Sequence, residues 1–311
     1  MRDPADLYEI HPGFDDVQGL AMLVCLDGFV DAGQTGTQMS KALFDSLSGE
    51  EIAVFDVDRL VDHRTRRPKM TFVENAWTDY TPHRIALSLY QDLDRQPFLV
   101  LHGPEPDLEW EGFCAAVQQL VEHFGITLSV SVSGIPTAVP HTRPISVTPH
   151  GTREELVTGH NSPLEGSTFD VPASVSALLE FRLGQAGRDF VGYAVHVPSY
   201  LAQTQYPRAS VAATEFVAGA TGLALPTDEL EESAGAHDVE IAERVAESEE
   251  VQRVVTEYER RYDAMMSSRG DDPGDRTVLP LADDESGLPT ADELGAELER
   301  FLAEREGDGN G

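Results

Sequence analysis

The chain has 311 residues, a hydrophobic fraction of 41% and a formal net charge of -33. That length and apolar content can bury a substantial core in one large domain or two smaller ones. The charge excludes nucleic acid as a partner, because phosphates are held by Lys and Arg through counterion release, and it argues against docking on anionic membranes.

In chain order, residues 20–26 are continuously apolar, as in a strand covered on both faces. Gly28 to Gly36 follows as a glycine-bearing corner, then a helical pattern through Met39, Leu43, Phe44 and Leu47. Residues 52–57 read as a second strand. Residues 62–69 form a basic loop holding Arg64, Arg66, Arg67 and Lys69, the cationic cluster of an acidic chain. Residues 85–90 and 98–101 read as strands joined by residues 92–96, a spacing that suits a β-hairpin. Gly103-Pro104-Glu105-Pro106-Asp107 is a proline-fixed βα corner before a helix over residues 108–124. Residues 126–132 are another strand, ending at Ser133-Gly134-Ile135-Pro136, and residues 136–150 are an extended loop or short strand. A helix through Val175, Leu179 and Leu183, a strand over 190–197 and an alanine-rich helix after Pro207 complete the pattern. The expected architecture is α/β, with a mixed, mostly parallel central sheet flanked by helices.

Composition changes near residue 226. From Thr227 onward there are 26 Asp and Glu against 8 Arg and no Lys. The expected division is a core over residues 1–226 and an acidic helical extension over 227–311. The extension is predicted as one long helix over 239–266, a linker over 271–289 and a short helix over 290–304. Thr290 and Glu293 form a capping box for the last of these.

Several segments together resemble the actinobacterial branch of the PAC2 family, named after a eukaryotic proteasome assembly chaperone. They are Gly28 to Gly36, His102-Gly103-Pro104-Glu105-Pro106-Asp107, Gly134-Ile135-Pro136, Val139-Pro140-His141-Thr142-Arg143-Pro144, His196-Val197-Pro198-Ser199-Tyr200, and Asp292-Glu293-Leu294. The resemblance implies a fold like that of purine nucleoside phosphorylases and peptidyl-tRNA hydrolases, and a self-associating protein, a homotrimer. It implies no known reaction. Some prokaryotic relatives carry an ATP-grasp or carboxylate-amine ligase label. This chain has no P-loop, and Lys41 and Lys69 are its only lysines.

The candidate chemistry sits at the strand ends, where open α/β folds place ligands. Asp31, Gly33 and Thr35 could line an anion or ligand cradle at a helix N-terminus, or simply make a tight turn. Asp31 would repel a bare phosphate. His102, Glu105 and Asp107 could form an acid/base group, although acids also suit the first turn of a helix. Gly103 and Gly134 permit close backbone approach. His141 and Arg143 could meet a carboxylate or phosphate, or stitch one subunit to the next. His196 is a catalytic candidate or a hydrogen-bonded structural residue. No metal spacing appears among the ten histidines, and no cofactor is expected. Cys25 and Cys114 share no C-x-x-C spacing. No apolar run reaches the ~20 residues of a membrane span and Met1-Arg2-Asp3-Pro4 starts no signal peptide, so a cytoplasmic location is expected. Two readings stay open: a non-catalytic oligomeric scaffold or assembly factor that binds itself and a protein partner, or a hydrolase- or nucleosidase-like enzyme using a small molecule in the crevice.

Overall fold

Alternation along the inner strands decides the layering. Phe98 and Val100 face one side of their strand and Leu99 and Leu101 the other, and all four are fully buried. A strand apolar on both faces needs a layer of helices on each side. The computed structural model describes residues 3–268, apart from 15, 29, 158–167 and 169.

The elements are β1 (Tyr8–Ile10), β2 (Ala21–Asp27), α1 (Thr35–Ser46), β3 (Gly49–Phe55), α2 (Val57–Leu60), β4 (Lys69–Val73), β5 (Ala76–Thr81), β6 (Ala86–Gln91), β7 (Pro97–Pro104), α3 (Trp110–His123), β8 (Leu128–Thr137), β9 (Val147–Gly151), α4 (Val175–Gln185), β10 (Phe190–Pro198), α5 (Pro207–Thr221), α6 (Asp228–Glu247) and α7 (Glu249–Ser268). Eight strands form one sheet in the order β1-β3-β6-β7-β2-β8-β10-β9. The four consecutive strands β7, β2, β8 and β10 are mutually parallel. The flanking pairs are antiparallel, including the expected β6–β7 hairpin. Four of the seven pairings are antiparallel and three parallel, so the sheet is mixed as expected, with the parallel pairings confined to β7, β2, β8 and β10 and not in the majority.

Two cores follow from the alternation. Phe113, Val117 and Leu120 of α3 and Val175, Leu179 and Leu183 of α4 pack on one face with Met22, Val24, Leu99 and Leu101. On the other face, Met39 and Leu43 of α1 and Ala209, Ala213 and Val217 of α5 cover Leu23, Val100, Val195 and Val197. The acidic helices add to this second face. Ile241, Val254, Val255 and Tyr258 belong to its core, and Leu230 and Ala234 pack against Ala42 and Val211. Asp228, Glu229 and Glu231 crowd the first turn of α6, where the helix dipole favours negative charge.

The predicted single helix over 239–266 is two helices. Ser248 is extended (φ -121, ψ 113) and separates α6 from α7. Its hydroxyl accepts from the Val251 amide at 3.3 Å. A serine that can cap a new helix, followed by Glu249 and Glu250, ends one helix and starts the next. The apolar spacing changes phase at the break: Ile241 and Val245 are four apart, as are Val251 and Val255, whereas Val245 and Val251 are six apart. The predicted linker over 271–289 and helix over 290–304 lie outside the described residues.

One element stands apart from both cores. β4 and β5 pair only with each other among the described strands. Met70 faces Tyr80 and Phe72 faces Trp77 across the ladder. Cross-strand partners share a face, so these four make one apolar face of the ribbon. They are 48, 50, 55 and 65% exposed respectively.

The parallel strands end level with one another. Asp27 is in register with Pro104, Leu26 with Gly103, and Gly134 with Val195. Two glycines let other backbone press onto this rim. A Cβ on Gly103, at φ +130, would sit 2.2 Å from the Arg84 carbonyl oxygen, and one on Gly134 would sit 2.0 Å from the Ala32 carbonyl oxygen. Gly134→Ala is expected to cost about 3 kcal/mol or more by overpacking. Gly235→Ala, in open space on α6, is expected to add about 0.5–1 kcal/mol through helix propensity. Thermal denaturation of the two variants checks both signs.

Candidate functional site

The rim brings Asp31, Gly33 and Thr35 together with Gly134. After β2 the chain turns through a short 3-10 segment, Ala32–Gln34, and enters α1. The Asp31 carboxylate accepts from the Gly36 amide at 2.8 Å, from the Thr37 amide at 2.9 Å and from the Thr37 hydroxyl at 2.8 Å. The Gly134 amide of β8 donates to it at 3.3 Å. The donors that could hold an external anion therefore hold the chain's own. Thr35 is fully buried and its hydroxyl donates to the Ala32 carbonyl at 2.7 Å. The Gly33 amide donates to the Ala202 carbonyl at 2.8 Å, and its carbonyl accepts from the Tyr206 amide at 2.9 Å.

His102 and Glu105 do not form a pair. His102 follows Val100 on the α1 side of the sheet, where Nε2 lies 2.9 Å from the Ser88 hydroxyl and the ring packs 5.3 Å from Phe44. Burial pushes its pKa down; Glu51 pulls it up and Arg84 adds to the fall. Glu105 is buried, and its Oε1 accepts from the Val175 amide at 2.6 Å, at the N-terminus of α4 on the opposite face. Asp107 accepts from the Asp62 amide at 2.8 Å and lies 3.6 Å from the Arg66 guanidinium. The sequence places these three within six positions; the pleat and the corner after β7 send them to different neighbours.

His196 is buried and held at both ring nitrogens. Nδ1 lies 2.9 Å from the Ser146 hydroxyl and Nε2 lies 2.9 Å from the Thr148 hydroxyl. Burial pushes its pKa down to about 4, so it is neutral near pH 7. His141 and Arg143 turn toward the acidic layer. The His141 amide donates to the Tyr200 hydroxyl oxygen at 2.9 Å, and that hydroxyl lies 2.7 Å from Nδ1. Arg143 makes a bidentate pair with Asp263 at 2.8 and 2.7 Å and reaches Glu259 at 3.1 Å. It ties the 138–145 loop to α7.

The sequence reading missed Asp27 and Arg66. Desolvation at the rim holds the Asp27 carboxyl above the usual range, Arg66 opposes the rise, and Asp31 adds to it. Arg66 donates to the Glu105 carbonyl at 2.8 Å. The available signal was position: Asp27 directly follows the apolar strand. Neither thiol is a nucleophile near pH 7, since burial pushes Cys25 up to about 11 and Cys114 up to about 12. Among the described residues, no group of three or more His, Cys, Asp or Glu is placed to hold a metal ion.

A profile of the PAC2 family matches residues 25–245. A Mycobacterium tuberculosis protein of unknown function is 39% identical over 85% of this chain and 91% of its own, with a TM-score of 0.77. A Corynebacterium glutamicum protein of unknown function is 36% identical over 84% of this chain and 98% of its own, with a TM-score of 0.78. The chain belongs to the PAC2 family. A Mycobacterium tuberculosis proteasome-assembly chaperone homologue, 20% identical over 77% of this chain and 99% of its own, shares the fold at a TM-score of 0.68. No curated protein matches the chain.

Two expectations follow from the site. Asp31→Ala removes the carboxylate that caps α1 and is expected to cost about 1–2 kcal/mol in a denaturant titration. For His196, the folded pKa of about 4 lies below the ordinary value of ~6.5. The unfolded chain therefore binds the proton first as pH falls. The contribution is fully present above pH ~6.5 and is lost toward pH 4, amounting to roughly 3 kcal/mol. Melting curves from pH 7 to 4 are expected to fall more steeply for the wild type than for His196→Gln.

Proposed function

We propose that the chain is a non-catalytic, chaperone-like scaffold or assembly factor, built as a homotrimer and working in the cytoplasm. The observation that carries this reading is that every candidate catalytic side chain is engaged in bonds that hold the fold. His102 lies against Ser88, Glu105 caps α4, and His196 lies between two hydroxyls. A general acid or base needs a free position near the reacting proton and a pKa near the working pH. His196 meets neither condition. Family membership points the same way, and so does the fold shared with a proteasome-assembly chaperone homologue. Both cysteines are free, which suits a reducing compartment. No helix among the described residues is long and apolar enough to cross a membrane.

Light scattering of the purified chain is expected to give three times the mass of the 33.9 kDa protomer. A folded monomer at micromolar concentration contradicts the trimer. Added to unassembled proteasome subunits from the same source, the chain is expected to speed particle formation. Unchanged assembly, together with turnover of a small molecule that is lost in Glu105→Gln, contradicts the assembly role.

A further inference from the structure

Two bare surfaces of the described structure complement each other. The first is the β4–β5 hairpin. Its apolar face carries Met70, Phe72, Trp77 and Tyr80, all exposed, with the Phe72 and Trp77 rings edge-on at 4.9 Å. A lone two-stranded ribbon is marginal in water, and its stability depends on something packing against it. A contiguous exposed apolar patch marks a contact surface. The root of the hairpin is cationic. Arg64 pairs with Asp62 and Arg66 with Asp107. Arg67 and Lys69 are exposed and, among the described residues, carry no ion pair. The surface that receives this hairpin must therefore be apolar and bordered by acids.

The outer face of α6 has that character. Leu230, Ala234 and Ile241 are the side chains the helix buries. Away from them, Ala236, Val239, Ala242 and Ala246 follow one another in steps of three and four, which sets them on one side of the helix. All four are exposed, Val239 by 59%. Their small side chains leave a shallow apolar surface that a flat aromatic ring can lie on. Glu232 and Glu243, also exposed, border it one turn from Ala236 and Val239. Within a protomer the two surfaces do not cover each other. Leu230 and Ala234 of α6 pack against Ala42 and Val211, and the hairpin strands pair only with each other among the described strands.

We infer that the β4–β5 hairpin of one protomer packs across α6 of a second copy of the chain. Its Met70, Phe72, Trp77 and Tyr80 face lies on the 236–246 stripe, with Arg67 and Lys69 toward Glu232 and Glu243. The inference rests on the self-association proposed above and names the surfaces that make it. Charge favours a second copy as the occupant, because the same sequence supplies both the apolar surface and the missing counter-charge. The contact joins unlike surfaces, so each protomer gives one hairpin and receives one. A heterologous contact of this kind closes into a ring when its rotation allows.

Light scattering of the full-length protein reads association, and acrylamide quenching reads Trp77. The wild type is expected to be trimeric with Trp77 shielded, and dilution is expected to lose both together. Trp77→Phe must abolish the change in quenching, which separates it from Trp110. Phe72→Asp with Trp77→Asp on the hairpin, and Val239→Arg on α6, are each expected to give a folded monomer, with folding checked by circular dichroism. Arg67→Glu with Lys69→Glu, and separately Glu232→Arg with Glu243→Arg, are each expected to raise the dissociation constant about tenfold or more by placing like charges together. Combining all four charge reversals is expected to restore assembly. A monomeric wild type overturns the homotrimer and this inference with it. A trimer that survives every one of these substitutions overturns the inference alone and leaves the homotrimer standing. Dissociation in the hairpin variants with both α6 variants unchanged also overturns it, because the hairpin then meets another surface. A wild-type trimer in which Trp77 stays fully quenchable overturns it as well, and leaves the hairpin free for a different protein.

Discussion

The Asp31 carboxylate, lodged between the first turn of α1 and the Gly134 amide, is the contact on which the rim depends. It joins the end of β2, the start of α1 and the end of β8 through one anion. A helix N-terminus leaves donors unpaired, and here a carboxylate from the preceding corner takes them. The geometry works only because Gly134 has no Cβ to push the Ala32 carbonyl away. The sheet's ligand-ready corner is thereby closed by the chain itself. The same solution recurs across the rim, where Glu105 takes the Val175 amide at the start of α4. Two helices on opposite faces are each anchored by a carboxylate from a strand-end corner.

That arrangement explains why strand-end position alone is a poor guide to chemistry. His102, Gly134 and His196 all end parallel strands, and their ends lie level. Side chains on a strand alternate between faces. His102 therefore joins the α1 side, whereas His196 shares its face with Phe190 and with the α3–α4 core. A common rim is one requirement for an active site; a common face and an unoccupied hydrogen-bonding position are two more. The rim meets only the first of these for the histidines.

Much of the fold was legible because its signals are local. The double-sided strands at 20–26, 98–101 and 190–197 and the β6–β7 hairpin follow from apolar runs and turn spacing. The family motifs added the assembly of these parts, and the family is confirmed over residues 25–245. The break at Ser248 has a trace in the sequence: Val245 and Val251 are six apart, out of step with the spacing of four at 241/245 and 251/255, and a single helix over 239–266 passes over that change of phase. The β4–β5 ribbon was unread because Thr71, Asp79 and Thr81 interrupt its apolar residues; its face emerges only once Phe72 is set opposite Trp77. The partners of Glu105 and Asp31 depend on contacts 70 and 103 residues away, beyond the reach of any pattern in one sequence.

The claim at the centre of this account is that the rim's polar side chains hold the fold and are not free for proton transfer. An NMR titration of the histidine imidazoles in the intact protein tests it most directly. The account requires His196 to stay neutral, with unchanged ring signals, until pH approaches its value of about 4. A His196 ring that titrates between pH 6 and 7 while the protein remains folded would contradict it and return the rim to the class of active sites.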